Sequence, residues 1–351
     1  MPAISISDLV MQFDGFTAVD HVSLDVDEGE FVTLLGPSGC GKTTLLNLIS
    51  GFLQPTSGRI EIGGKDVVGV PPEARDTAMC FQSYALFPHL SVRENLVFGL
   101  RQKGTPSAQR KARLDEVVGQ VDLGAHLTKL PNQLSGGQQQ RVALGRALAV
   151  RPFVILFDEP LSNLDAKLRE QVRVEIRKIQ RDFGLTAIYV THDQAEALAM
   201  SDRIFIMNAG RLEQSGGPEE IYYAPRTRFV ADFVGSANVL DAEVIGEISA
   251  DRWQVATPIG TLEIQSSAGP KAKRIPISWR PETAQIGAVA GSNNLEGQVT
   301  HRSFQGHFTD LMVDLNGLEQ RIQTLRSPIS EGAQVAFNID PKDITFLEPD
   351  A

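Results

Sequence analysis

Eight residues constrain this chain more than any others. Gly36-Pro37-Ser38-Gly39-Cys40-Gly41-Lys42-Thr43 fits the spacing G-x-x-x-x-G-K-[ST]. It follows an apolar, partly β-branched run from Phe31 to Leu35 and leads into a helix-like stretch from Thr43 to Ile49. Strand, glycine-rich turn and helix in that order let backbone N–H groups close around phosphate oxygens, and the helix N-terminus favours the anion. Lys42 adds a positive point charge near the β and γ phosphates of a bound nucleotide, and Thr43 can offer its hydroxyl to Mg²⁺.

The pattern repeats without the glycines. Phe153 to Phe157 and Ala187 to Val190 are short apolar runs bounded by charged or turn residues, which reads as buried parallel strands of an α/β sheet. Ser107 to Val121 and Ala166 to Phe183 carry dense charge with apolar residues at helical spacing, as amphipathic helices do. After about Gly217 the pattern changes. Pro218 and Pro225 punctuate a connection, Phe229, Val230, Phe233 and Val234 share one helical face, and no strand-loop-helix unit follows Gly235. Strand-like pieces at Thr261 to Gln265, Asp310 to Leu315 and around Val335, Phe337 and Ile339 predict a small all-β, barrel-like domain. A length of 351 residues fits about two domains.

Two further segments carry chemistry. Val154-Ile155-Leu156-Phe157-Asp158-Glu159 is an apolar strand ending in adjacent carboxylates, and strand alternation turns them in different directions, so one can orient a metal shell while the other addresses a water. Leu134-Ser135-Gly136-Gly137-Gln138 precedes a helix expected from about Gln139 to Val150. Ser135 is a natural N-cap there, and Gly136 and Gly137 let a phosphate approach the backbone.

Composition excludes other classes. With 43 acidic against 33 basic residues the formal charge is -10, which argues against the phosphate-backbone attraction of a nucleic-acid binder. Two cysteines, Cys40 and Cys80, cannot build a disulfide framework or a zinc site by themselves and suit a reducing compartment. No uninterrupted apolar stretch reaches the roughly 18 residues of a membrane span, and the first 20 residues lack the features of an export signal.

Taken together, the loop at Gly36 to Thr43, the LSGGQ sequence at Leu134 to Gln138, and the strand Val154 to Asp158 with Glu159 resemble the nucleotide-binding subunit of an ABC transporter. The likeness covers the first two-thirds of the chain. It implies a P-loop α/β nucleotide-binding domain over 1–235 with a helical subdomain at about 88–150, followed by an OB-like all-β domain over 236–351. It also implies a nucleotide contact at Thr44 beside the loop residues, and Phe13 as the aromatic that stacks on adenine. Gln82, in Phe81-Gln82-Ser83-Tyr84, matches the glutamine that reaches Mg²⁺ and the attacking water. Ser162-Asn163-Leu164-Asp165 resembles the D-loop, and His192 matches the histidine that contacts the γ-phosphate. Glu159 takes the place of the general base, and Thr43, Gln82 and Asp158 those of the Mg²⁺ shell.

In that family two cassettes pair head to tail, so Ser135, Gly136, Gly137, Gln138 and Asp165 serve the nucleotide held by the partner's phosphate loop. The C-terminal segments Pro218 to Tyr222, Phe233 to Gly235 with Asn238, and Trp279-Arg280-Pro281-Glu282 resemble the importer ATPases of the maltose, polyamine, ferric-ion and sulfate group, which carry a regulatory TOBE domain. The implied protein hydrolyses ATP with Mg²⁺ as a homodimer, on the cytoplasmic face of the inner membrane. Its partners are two permeases and, through them, a periplasmic solute-binding protein, with Tyr84 to Pro88 at the permease-docking surface. Polyamine or ferric iron is the expected solute, with sugar, phosphonate or sulfate as alternatives. Outside transport, a soluble regulatory ABC ATPase or one acting on nucleic acid or ribosomes is the competing expectation. Cys40, beside a helix start where thiolate is favoured, is a candidate reactive thiol, with a passive loop residue as the favoured reading.

Overall fold

A computed structural model describes residues 2–287, 291, 293–325 and 328–349, and the chain divides into two compact units, Met1–Pro218 and Glu219–Ala351. In chain order the first unit contains β1 (Ile4–Phe13), β2 (Phe16–Val26), β3 (Phe31–Leu35), α1 (Lys42–Ser50), β4 (Ser57–Ile62), β5 (Lys65–Asp66), β6 (Thr77–Cys80), α2 (Val92–Gln102), α3 (Ser107–Gln120) and α4 (Gly136–Ala149). It continues with β7 (Val154–Asp158), α5 (Ala166–Phe183), β8 (Thr186–Thr191), α6 (Gln194–Met200), β9 (Arg203–Asn208) and β10 (Arg211–Gly216). The apolar runs assemble as expected into a sheet of order β10-β9-β3-β8-β7-β6. All its neighbours are parallel except β9 and β10. Every residue of β3 and β8 is buried, because helices cover both faces of such a sheet. Register aligns Leu35 with Thr191 and Asp158 with Val190. The carboxyl ends of β3, β7 and β8 therefore meet at one edge, where open α/β sheets place their ligands.

A second sheet, of order β2-β1-β4-β5, is antiparallel and was not foreshadowed by the alternation of its residues. Pairing of β1 with β2 shifts register three times, and Asp8 and His21 sit at φ +50° and +53°, so the two-residue period that betrays a strand is broken by bulges. The helical region around 88–150 consists of α2, α3 and α4 packed in one apolar cluster with Phe31, Phe157 and Tyr189 of the parallel sheet. No helix among the described residues is long and apolar enough to cross a membrane.

The second unit opens with α7 (Pro218–Tyr223) and α8 (Arg228–Phe233), followed by β11 (Asn238–Ser249), β12 (Arg252–Thr257), β13 (Gly260–Gln265), β14 (Arg274–Trp279) and β15 (Gln285–Ile286). After these come β16 (Asn294–Phe304), β17 (Thr309–Leu315), β18 (Leu318–Thr324), β19 (Gln334–Asn338) and β20 (Ile344–Phe346). They form two five-stranded antiparallel sheets, β13-β12-β11-β14-β20 and β15-β19-β16-β17-β18. One core joins them, with Leu240, Val255, Ile264 and Trp279 from the first meeting Val299, Leu311, Ile322 and Phe337 from the second.

The division at Pro218 falls earlier than the boundary expected at Gly235, and Arg280 supplies the reason. The residue is 4% exposed, its guanidinium donates to the carbonyls of Tyr222, Ala231 and Val234, and its Cζ lies 4.2 Å from the centre of the Tyr222 ring. The Tyr222 hydroxyl in turn donates to Glu282 at 2.6 Å. The Trp279-Arg280-Pro281-Glu282 segment thus ties the two short helices to the β-sheets. Arg280→Met keeps length but removes every donor, leaving buried carbonyls unmatched, and is expected to cost about 3 kcal/mol. The chain's two tryptophans, Trp253 and Trp279, both lie in this unit, so a urea transition followed by tryptophan fluorescence should move to lower denaturant. An unchanged midpoint would deny Arg280 that role.

Candidate functional site

The phosphate loop lies between β3 and α1, in the context the motif requires. A Cβ on Gly36 would run into the carbonyl oxygen of Met207, and one on Gly41, at φ +102°, into that of Ala18. Both positions need glycine for that reason. Lys42 is 5% exposed, and its ammonium donates to the carbonyls of Gly36 at 2.7 Å and Pro37 at 2.9 Å. The first turn of α1 has neither a side-chain cap nor an acidic residue. Its leading N–H groups are therefore open to an anion, which the helix dipole favours at that end. Cys40 is 3% exposed and belongs to the apolar cluster beneath the loop, so its thiol is packed rather than offered to solvent, as suits a passive loop residue.

Thr43 and Asp158 meet across the end of the sheet, Oγ1 donating to Oδ1 at 3.2 Å. Burial pushes the Asp158 carboxyl above its ordinary value, the charge of Glu159 adds to this, and the Thr43 bond and Lys42 oppose it. A cation beside Asp158 would reverse that penalty, and a hydroxyl plus a carboxylate are hard oxygen donors of the kind Mg²⁺ takes. Among the described residues no group of three or more His, Cys, Asp or Glu side chains could hold a metal ion. A cation at this place would draw the rest of its shell from other oxygens, such as an amide carbonyl, phosphate or water.

Glu159 lies one residue beyond β7, so a turn, and not the strand alternation expected from the sequence, separates its direction from that of Asp158. The φ of Glu159 is +42°, a left-handed conformation that costs a non-glycine residue about 1–3 kcal/mol and persists only where surrounding contacts hold it. The turn is held by its own N–H, which donates to Val190 at 3.0 Å, and its carboxylate lies 3.1 Å from Nδ1 of the exposed His192. Gln82 joins from the other side, its amide donating to the Ser162 hydroxyl at 3.1 Å, while that hydroxyl donates to the Glu159 carbonyl at 3.0 Å. Asn163 closes the ring by donating to the Gln82 carbonyl at 3.0 Å.

Several contributors escaped the sequence reading. A small cavity of about 60 Å³ is lined by Glu159, Ser162, His192 and also Arg169 and Glu196. Glu196 is buried and accepts from the hydroxyls of Tyr189 and Thr191, both at 2.8 Å. Asp193 caps α6 through the N–H groups of Ala195 and Glu196. Together they fix the backbone on either side of His192. The spacing Asp193-x-x-Glu196 is a helix-start signature that could have flagged them.

Phe13 is 41% exposed at the β1–β2 hairpin, paired in register with Phe16, which is 62% exposed. Phe16 is a second aromatic of that tip that sequence reading passed over. The hairpin borders the phosphate loop, since β2 supplies the Ala18 carbonyl that Gly41 must clear.

The Ser135 segment forms a separate cluster. Helix α4 begins at Gly136 rather than near Gln139, because Ser135 accepts from the Gln138 N–H while the Gln138 side chain accepts from the Ser135 N–H. This capping box draws both glycines into the first turn. Gly137 has Leu168 close against it and Gly136 has Leu164, so the helix start packs on the segment that carries Asp165, the N-cap of α5. Among the described residues no hydrogen bond links Ser135 to the phosphate loop.

These features have counterparts in known proteins. The family model described as ABC transporter matches residues 19–162, and that described as TOBE domain matches 277–347. The chain is 44% identical over 344 residues to the spermidine/putrescine import ATP-binding protein PotA of Pseudomonas aeruginosa, covering 96% of this chain and 94% of that protein. It is 48% identical over 303 residues to the Fe(3+) ions import ATP-binding protein FbpC of Agrobacterium fabrum, covering 86% and 85%. A Thermobifida fusca PotA is 54% identical over 312 residues, covering 85% and 79%. Among solved structures, a dimeric ATP-binding cassette in a post-hydrolysis state with ADP and Pi superposes with a TM-score of 0.55 at 32% identity, covering 61% of this chain and 98% of that one. The structure of cbiO1 from Clostridium perfringens, part of the ABC transporter complex cbiONQ, superposes with a TM-score of 0.59 at 28% identity, covering 63% and 90%.

Proposed function

Because the chain belongs to the import ATP-binding proteins of the ABC transporter family, ATPases that power solute uptake, we propose that Glu159, His192, Gln82 and the Thr43–Asp158 pair are its hydrolytic centre. The observation that carries this is the chain of bonds running from His192 through Glu159 and Ser162 to Gln82, beside the Thr43–Asp158 contact. The triphosphate lies along Gly36 to Thr44, with Lys42 against its outer phosphates and Phe13 against the base. Mg²⁺, held by Thr43, Asp158 and Gln82, neutralises charge on the phosphate oxygens when bound. Glu159 accepts the proton of the attacking water, and His192 holds that carboxylate and the γ-phosphate in one register.

The active form is a head-to-tail dimer. In it Ser135, whose oxygen accepts within its own capping box, still has an O–H to donate to the phosphate on the partner's loop, along with the N–H groups of Gly136 and Gly137, flanked by Gln138 and Asp165. Dimer closure on ATP drives two membrane permeases at the cytoplasmic face of the inner membrane, supplied by a periplasmic solute-binding protein. The solute is a polyamine or ferric iron, the two cargoes for which the relatives above are named.

Composite sites have a direct test. Lys42→Ala and Ser135→Glu are each expected to abolish turnover alone. Mixed, they form heterodimers in which one site carries both lesions and the other neither, so activity should return to about one quarter of wild type if chains exchange freely. No recovery on mixing would place Lys42 and Ser135 in one site of one chain. Loss of spermidine or of Fe(III) uptake in cells carrying only Glu159→Gln identifies the cargo.

A further inference from the structure

We propose that Arg146 is a positioning residue for ATP hydrolysis, holding the two residues after the Gln82 turn in a left-handed geometry and so setting where Gln82 stands. Tyr84 and Ala85 lie at φ +62° and +44°. Residues with a Cβ visit that region singly and at a cost, and two in succession do not persist unless something outside the segment holds them.

Arg146 is that hold. One terminal nitrogen donates to the Ala85 carbonyl at 2.7 Å and the other to the Tyr84 carbonyl at 3.0 Å. Consecutive carbonyls point the same way only in helical backbone, of either hand, and alternate in an extended one. A planar two-pronged donor therefore selects the geometry seen here, which a lysine point charge cannot do. The same guanidinium lies 5.4 Å from the centre of the Phe87 ring. Phe87 is fixed through its own backbone by Asn95 of α2, which is fully buried and bonds both its N–H and its carbonyl.

The grip is transmitted through a short path. The Tyr84 N–H donates to the Phe81 carbonyl at 2.9 Å, closing a turn that contains Gln82, and the Gln82 side chain and carbonyl then contact Ser162 and Asn163. Arg146 also stands on α4, whose first turn is the Ser135–Gln138 capping box. One rigid helix thus carries the segment offered to a partner's nucleotide and the clamp on the chain's own Gln82 turn.

This inference rests on the reading of Gln82 given above, and the experiment separates the two. Arg146→Lys is expected to lower kcat about tenfold with KM for ATP changed less than about twofold and an unaltered melting temperature, since the lost interaction orders the turn rather than the nucleotide. Adding Ala85→Gly to Arg146→Lys should return about fivefold of that loss, because glycine takes positive φ without a steric penalty and the turn re-forms unaided. In the wild-type background Ala85→Gly should change kcat less than about twofold, whereas Ala85→Val, a β-branched residue at positive φ, should lower kcat about fivefold with Arg146 intact. Arg146→Lys at wild-type kcat, or slow without rescue by Ala85→Gly, overturns the proposal while a slow Gln82→Ala leaves the Gln82 reading standing. Gln82→Ala at wild-type kcat overturns both. Should Arg146→Lys not fold, Ala85→Val decides alone, an unchanged kcat counting against the clamp.

Discussion

Glu159→Gln is expected to lower the turnover number for ATP by about 10²–10⁴-fold, the range general-base catalysis supplies, while ATP still binds. The amide has the size and shape of the carboxylate, so the left-handed turn and the Glu159 N–H bond to Val190 have no reason to change. What is lost is the basic oxygen 3.1 Å from His192. Electrostatics adds a second consequence. The Glu159 charge helps push the neighbouring Asp158 carboxyl upward, so its removal lets Asp158 ionise more readily and favours a cation there. The variant should therefore retain ATP and Mg²⁺ at least as well as wild type and accumulate as an ATP-bound dimer. Single-turnover phosphate release, nucleotide binding and size-exclusion elution with and without ATP measure the three parts. Phosphate release within about threefold of wild type would remove Glu159 from the role of base.

How far such a site can be read from sequence depends on the reach of its contacts. The phosphate loop was legible because strand, glycines, lysine and helix are consecutive, and the two β3 and β8 runs were legible because burial on both faces makes them uniformly apolar. The same locality failed where interactions jump along the chain. Arg146 reaches back to Tyr84 and Ala85, and Arg280 to Tyr222, Ala231 and Val234. No propensity or period marks an arginine that will bind carbonyls rather than face water. The start of α4 was misplaced for the opposite reason. Two glycines read as loop by propensity, and only the reciprocal Ser135–Gln138 bonds make them helical. The sheet of β1, β2 and β4 stayed hidden because its bulges break the alternation that would reveal it.

Lys42→Ala is the second large effect, and it should act in the opposite sense on the same carboxylate. Lys42 donates to two loop carbonyls from a buried position and opposes the upward push on Asp158. Without the ammonium, an outer phosphate loses its nearest fixed positive charge, a loss that typically costs about 10²–10³-fold in kcat when a preorganised donor is removed. The loop also keeps the Gly36 and Pro37 carbonyls in place of a cation, and Asp158 becomes harder to ionise, so affinity for the Mg²⁺ complex of ATP should fall along with kcat. Glu159→Gln and Lys42→Ala therefore predict different patterns, one with binding retained and one with both lost, and the double variant should bind ATP no better than Lys42→Ala alone. Lys42→Arg is the sharper control, because it keeps the charge but brings a wide planar fork into a loop where Gly36 already abuts the Met207 carbonyl. If the arginine variant hydrolyses ATP at the wild-type rate, net charge suffices at this position. If it fails like alanine while circular dichroism stays native, the compact ammonium seated on two loop carbonyls is the functional element.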